Sequence, residues 1–459
     1  MDGFMSYDQP SMLKNASSVW NPLRLDAYDF YLAQLSASNS VTATQDIYSA
    51  DGRLLISSGD LISRSTLLLL GDVLLASPLS HCVHIQQTMC NSDFLQHLVD
   101  TIRNTEFFQS LEERKYPLDS LRPVSEMLEH FPLVQQRLTV MSAQMINLFQ
   151  RTLSVGLWSI FIAQEMRLPL EETQQIFWAA ITHDFGMMHI PPYILAKEEL
   201  AADEWLTLQA HVDISCQILR EVPGFSEDLI VAVSEHHERC DGTGYPIGKV
   251  ESEISLPGQI LALADSIVGI YYNRFKPYGR RWREVIPVLE LNRAAYLYRG
   301  CEIVSTMIFR SEIPLDNVVE GSEIPEFAER MLQQNANLQQ WFSELREILT
   351  NVGYTHGDRK LHGLQNVVLH IASTFKGSLL FQEDLRESLQ SIANQQGVSI
   401  NKVVEDALLR QQEMNFHLHR LTHMLQAYVS SGECKNLKVA RELDVGLKKI
   451  GGFLLPPTS

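Results

Sequence analysis

The spacing of apolar positions changes character along the chain. Residues 1 to about 40 are polar and mixed, interrupted by Pro10, Pro22 and the cluster SASNS, and show no period that would bind them to a core, so they read as a loosely packed lead-in. From Val41, the run VTATQDIYSADGRLLISSGDLISRS sets two short apolar segments on either side of Ala50-Asp51-Gly52. That pattern predicts a β-hairpin whose second strand ends at Ser57-Ser58-Gly59-Asp60. After Cys82 the text turns helical, and Pro117 with Pro123 marks a boundary near residue 120.

Between Val124 and about Arg310 the period is that of a helical bundle. MINLFQRTLSVGLWSIFIAQEM carries apolar residues at helical spacing, and Glu171-Glu172 opens another helix after Pro169. Beyond Ile313-Pro314, Gln-rich amphipathic helices take over, with Leu338, Trp341, Leu345 and Ile348 on one stripe and Leu418, Leu421, Leu425 and Tyr428 on another. Those stripes read as ordinary core, with the docking of a partner helix as the alternative. His419 and His423, four residues apart, could share a face as metal ligands, but no third ligand is evident and a solvated face is the simpler reading. The expected fold is therefore mainly α: a lead-in (1–40), a small N-terminal α+β module (41–120), a central helical bundle (121–311) and a C-terminal all-helical module (312–459).

Charge and cysteine usage narrow the partners. Lys and Arg number 37 against 55 Asp and Glu, a formal charge of −18 over 459 residues, which repels phosphate backbones and anionic lipid and argues against a nucleic-acid polymer as ligand. Cysteines 82, 90, 216, 240, 301 and 434 form no Cys-x-x-Cys pair, so they read as reduced thiols of a cytoplasmic protein. The longest apolar stretch, STLLLLGDVLLASPL, is cut by Gly71 and Asp72, and no basic-then-apolar leader opens the chain, so neither membrane insertion nor secretion is expected.

The candidate chemistry lies in the central bundle. Thr182-His183-Asp184-Phe185-Gly186, then His211, then His236-His237-Glu238 running into Asp241-Gly242-Thr243-Gly244-Tyr245-Pro246, then Ala264-Asp265 collect residue types that hold divalent cations. A single such histidine is most simply a satisfied core residue, but this many at ordered spacings are not. Two neighbouring cations suit phosphoester hydrolysis, because together they acidify a water and stabilise charge developing on phosphoryl oxygens. Donors of this kind accept iron, manganese and other ions in an order governed by supply.

The string HHERCDGTGYPIG, His236 to Gly248, resembles the signature HHExxDGxGYPxG of the HD-GYP family of bacterial cyclic di-GMP phosphodiesterases, and all nine specified positions match. HDFGMMHIPPYIL resembles the family's HDxGKxxIPxxIL, HVDISCQIL its HxxxGxxIL, and ILALADSIVGIYYNRFKPY its segment around VAD and RPY. The resemblance spans about residues 124 to 310, and QDIYSADGRLLISSGDLIS looks like a short module that precedes some of these domains. It implies that Asp184 bridges two divalent ions, iron or manganese. His183 and Asp265 would bind the first, and His211, His236 and His237 the second. It also implies that the loop of Gly242, Gly244, Tyr245 and Pro246 borders a cyclic-dinucleotide pocket, although for those glycines a purely structural turn serves equally well.

The departures from the pattern carry weight too. Where the family places a metal-binding His on the first helix of the domain, this chain has Arg151, and Asn147 stands where members with a third metal place Glu. Met187 replaces the lysine of HDxGK, Ser215 replaces the Gly after His211, and Val268-Gly269 stand where an aspartate usually follows VAD. Arg151 has three readings: a catalytic phosphate clamp standing in for the lost lysine, the mark of a domain that has stopped hydrolysing, or a side chain turned outward with water in the ligand place. The expected function is hydrolysis of cyclic di-GMP to linear pGpG or GMP. The alternatives are a non-catalytic module that binds cyclic di-GMP or a signalling protein through its C-terminal helices, and hydrolysis of another phosphoester.

Overall fold

The computed structural model describes residues 20–113, 121–197, 200–311, 324–353, 359–377, 402–430 and 436–450, with positions 313, 387 and 434. It is mainly α-helical, and the chain divides into two compact units, 1–236 and 237–459.

The first unit begins with a helix inside the stretch read above as a lead-in. Asp26 caps α1 (Ala27–Leu35) by accepting from Tyr28 N, while the Asp29 side chain answers to the Asp26 backbone N–H. Ala27, Tyr28, Leu32, Ala33 and Leu35 are buried, which is what holds so short and weakly amphipathic a helix in place. The expected hairpin is present: β2 (Ile47–Tyr48) pairs antiparallel with β3 (Leu54–Ile56) around a turn in which Gly52 takes φ +85°. The pairing of β1 (Val41–Ala43) with β4 (Val83–Ile85) departs from the helical pattern expected straight after Cys82. Three alternating residues are too short a signal to set a strand apart from a helix start. Helices α2 (Arg64–Leu70), α3 (Asn91–Arg103) and α4 (Glu106–Glu113) complete this region.

Helices α5 (Leu121–Ser125), α6 (Pro132–Gln144), α7 (Ile146–Glu165) and α8 (Leu170–Thr182) follow. In α7 every residue from Thr152 to Ala163 is buried, so the helix is enclosed on all sides. Trp158 stacks on Phe107 at 4.5 Å between ring centroids, and Trp178 of α8 stacks on Phe94 at 5.8 Å. Gly156 lets α8 approach: a Cβ there would stand 2.8 Å from Ile181 Cδ1. The unit continues through α9 (Pro192–Leu195), α10 (Ala202–Gln209), α11 (His211–Arg220) and α12 (Glu227–Ser234).

The second unit contains α13 (Leu256–Ile270), capped by Ser255, whose hydroxyl accepts from Gly258 N. A π-helical turn, Tyr271–Phe275, follows it, and then α14 (Val285–Leu291) and α15 (Tyr298–Arg310). Helices α16 (Ile324–Val352), α17 (Arg359–Gly377), α18 (Lys402–Ser430) and α19 (Leu437–Ile450) form the C-terminal part. Both apolar stripes foreseen from sequence meet in one core there: Leu338, Trp341, Leu345 and Ile348 of α16 with Leu418, Leu421, Leu425 and Tyr428 of α18. His419 packs edge-on against Trp341 at 4.7 Å, and the side chain of His423 lies outside the described residues.

Glu413 ties α18 to the elements before it. Its carboxylate accepts from Asn292 Nδ2 at 2.8 Å and from Arg274 Nη1, and His417 Nε2 lies 3.1 Å away. Burial alone would raise this carboxyl, but the Arg274 charge and then His417 outweigh it and hold it below the usual carboxylate range. The folded state therefore binds fewer protons at this group than the unfolded chain. Its stabilisation is complete above about pH 4.3 and is lost as pH falls below that. Glu413→Gln should lower the urea midpoint at pH 7 and also flatten the decline in stability between about pH 5 and about pH 2, measured by urea melts across pH.

Candidate metal centre

The centre in the first unit is built on helix ends. His183 is the residue on which α8 closes, Asp184 follows it, and a 3₁₀ turn, Phe185–His189, carries the chain away. The Nδ1–H of His183 donates to Ala180 O at 2.7 Å, that of His211 to Leu208 O at 2.6 Å, and that of His236 to Val233 O at 2.6 Å. Each imidazole thus keeps a proton on Nδ1, toward the carbonyl three residues earlier, and in its neutral form carries its lone pair on Nε2.

Those lone pairs converge on one carboxylate. His183 Nε2 lies 3.1 Å from Asp184 Oδ2, while His211 and His236 Nε2 lie 3.5 and 3.9 Å from Asp184 Oδ1. The two Nε2 atoms of His211 and His236 are 3.3 Å apart. Acceptors facing acceptors in a buried site repel one another unless positive charge lies among them. Burial would raise the Asp184 carboxyl, yet positive charge at His183, then at His211 and His236, draws it far below the carboxylate range. Asp184 is therefore an anion. Neutral imidazoles and a carboxylate within 4.8 Å of one another make a donor set that fits a divalent ion.

The turn that presents Asp184 is held from beneath. Gly186 passes so close to α11 that a Cβ on it would stand 2.0 Å from His211 O. Ser215, the residue in place of the family's Gly, accepts from Gly186 N at 2.8 Å and donates to His183 O at 2.6 Å. Its hydroxyl joins both sides of the HD turn in a fully buried position.

In the second unit, His237 Nδ1 lies 3.7 Å from Asp265 Oδ2, and its ring stacks on Tyr245 at 4.6 Å. Asp265 projects from α13 and is buried. The loop after His237 is organised by Glu238, a signature residue with no evident role in the sequence alone. Its carboxylate accepts from Ile247 N and Lys249 N, each at 2.8 Å, and from Gly248 N at 3.0 Å. Asp241 Oδ1 accepts from both the N–H and the hydroxyl of Thr243, forming an Asx turn. Gly242 needs φ +79°, and at Gly244 a Cβ would meet Arg239 N at 2.4 Å. The Tyr245–Pro246 bond is cis. The signature residues beyond the paired histidines thus earn their places by shaping this loop.

The described residues bring together His183, Asp184, His211 and His236 in one unit, and His237 with Asp265 in the other. Arg151 is half-buried on α7, Asn147 one turn before it is exposed, and Met187 is half-buried in the turn after Asp184. The role of Ser215 could be sought from the sequence only as a departure from pattern, because the atoms it joins lie 29 and 32 residues away.

Residues 133–298 match a family model described as HD domain. The 3′3′-cGAMP-specific phosphodiesterase 1 of Vibrio cholerae is 34% identical over 119 residues, covering 26% of this chain and 27% of that protein. A cyclic di-GMP phosphodiesterase of Thermotoga maritima is 36% identical over 143 residues, 30% of this chain and 39% of its own length. The cyclic di-GMP phosphodiesterase PA4108 of Pseudomonas aeruginosa is 30% identical over 135 residues, 29% and 32% of the two chains. The matched stretch thus spans between about a quarter and two-fifths of these relatives. The central part of the chain is thus similar to HD domains. More particularly, its complete HHExxDGxGYPxG string makes it similar to the HD-GYP family.

Gly186→Ala should be the severe test of this packing, because the obstacle is backbone and cannot swing away. A loss of about 3 kcal/mol or more is expected by urea denaturation, against about 1–2 kcal/mol for Gly52→Ala, where the added carbon meets nothing and only the turn, at φ +85°, is strained.

Proposed function

We propose that this protein is a metal-dependent phosphodiesterase that opens a cyclic dinucleotide, cyclic di-GMP, to its linear form or on to GMP. The observation that carries the reading is the convergence of three Nε2 lone pairs on the Asp184 carboxylate. We assign Asp184 as the bridging ligand, His183 and Asp265 to one ion, and His211, His236 and His237 to the other, with iron(II) or manganese(II) as occupants. Bound ions of this kind supply Lewis acidity and acidify a water at neutral pH. In the reaction, a water oxygen bonds to phosphorus, one ester P–O bond breaks, and the departing sugar oxygen takes up a proton.

The protein's own contribution is orientation. The backbone carbonyls of Ala180, Leu208 and Val233 fix the tautomers, so that no imidazole presents a proton where a lone pair is needed. Gly242, Gly244, Tyr245 and Pro246 would border the substrate, with Tyr245 also fixing the His237 ring. Arg151 we place as a clamp on a substrate phosphate, since guanidinium pairs with phosphate through two parallel bonds and Met187 offers none. We take the catalytic domain as 121–311, the module before it as 41–120 and the helical module after it as 312–459, the last as a surface for a signalling protein. Among the described residues no helix is long and apolar enough to cross a membrane, and the described cysteines are all free, which suits a cytoplasmic protein.

Arg151 favours a second reading, because a cation in a ligand's place suits a domain that binds cyclic di-GMP without cutting it. Turnover of cyclic di-GMP by anaerobic protein supplied with manganese(II) separates the two. The enzyme should give linear product that Asp184→Ala abolishes together with metal retention, whereas folded, metal-loaded protein giving no product refutes hydrolysis. Arg151→Ala should raise KM by about tenfold or more while leaving metal content intact; loss of metal instead would refute the clamp.

A further inference from the structure

A second buried polar cluster lies in the first unit, apart from the metal ligands. His189, the last residue of the 3₁₀ turn that starts after Asp184, donates from Nδ1 to Asp26 Oδ2 at 2.6 Å and accepts at Nε2 from Arg137 Nη1 at 2.9 Å. Because Arg137 can only donate, His189 is the neutral tautomer with its proton on Nδ1. Trp20 Nε1 donates to the same Asp26 oxygen at 2.8 Å. The His189 ring lies between Tyr28, stacked at 5.2 Å, and Trp20, edge-on at 5.1 Å, while Arg137 covers the Tyr28 ring at 4.4 Å. Arg137 is 2% exposed and His189 9%. In HDxGKxxIP, His189 occupies a position for which the signature specifies no residue, so the family pattern does not account for it.

The path from His189 to the centre is short and stiff. Met187 N bonds Asp184 O at 3.0 Å and Ile190 N bonds Met187 O at 3.3 Å, so the turn is one hydrogen-bonded piece between Asp184 and His189. The same turn carries Gly186, which is jammed against the His211 carbonyl. A displacement at His189 therefore reaches both Asp184 and His211.

We propose that His189 is a positioning residue of the metal centre, and that its bond to Asp26 makes the segment entering α1 part of what sets metal affinity. The inference rests on the metal reading above. It gives the N-terminal part of the chain a physical handle on the centre: whatever moves Asp26 loosens the turn that holds Asp184.

The test is manganese(II) titration of metal-stripped, full-length protein by calorimetry, with thermal melts run alongside. His189→Leu and Asp26→Ala should each weaken binding by about tenfold, the range seen when outer partners of a metal site are lost. The double variant should be within about twofold of either single one, because both break the same link. His189→Gln, whose amide can both donate and accept, should recover most of the loss. Wild-type affinity in folded His189→Leu and Asp26→Ala overturns the proposal, even if both melt earlier, since that would be a purely structural role. A double variant weakened by about a hundredfold overturns the shared link. Should His189→Leu not fold, wild-type affinity in Asp26→Ala alone overturns it. Wild-type protein that binds no manganese would overturn the metal reading itself and this inference with it.

Discussion

The centre depends on where the imidazole protons sit. With each Nδ1–H tied to a carbonyl three residues back, His183, His211 and His236 have one way to face Asp184, and it is as electron-pair donors. Helix ends make this possible, since their last carbonyls lack intrahelical partners and accept a side-chain proton at no cost to the helix. The fold thus spends the loose ends of successive helices on orienting ligands. Buried acceptors so arranged are unfavourable unless positive charge lies among them, which is why the cluster could hold a metal ion.

The sequence was most legible where chemistry dictates residue type. Histidines and aspartates at ordered spacings stand out in a sequence, and the candidates on the first-unit side, His183, Asp184, His211 and His236, do lie close together. The hairpin around Gly52 was legible because turn chemistry is local, and so were the stripes of α16 and α18, because a helical period survives over many residues. What stayed hidden was long in range. β1 meets β4 across some forty residues, Asp26 meets His189 across 163, and Glu413 meets Arg274 across 139. No local pattern announces such partners, and a polar lead-in with a buried helix in it looks like any other polar segment until its cap and its partner are seen together.

Loop and turn are built on opposite logics. The HD turn is fixed by crowding, with Gly186 against backbone and Ser215 filling the remaining gap, so its shape is set by what cannot fit. The loop from Glu238 to Lys249 is fixed by satisfaction: one carboxylate gathers three consecutive backbone N–H groups, and an Asx turn takes the rest of the bend. The first arrangement resists displacement, and the second tolerates different neighbours as long as the carboxylate remains.

The thiols have a consequence for the choice of ion. Burial pushes Cys216 and Cys301 up to about 12 and Cys240, three residues after His237, up to about 11. At neutral pH they are thiols, and only thiolates bind metals strongly. A soft ion such as copper(I) therefore meets no ready-made thiolate at Cys216, Cys240 or Cys301, and binding there would first have to displace a proton.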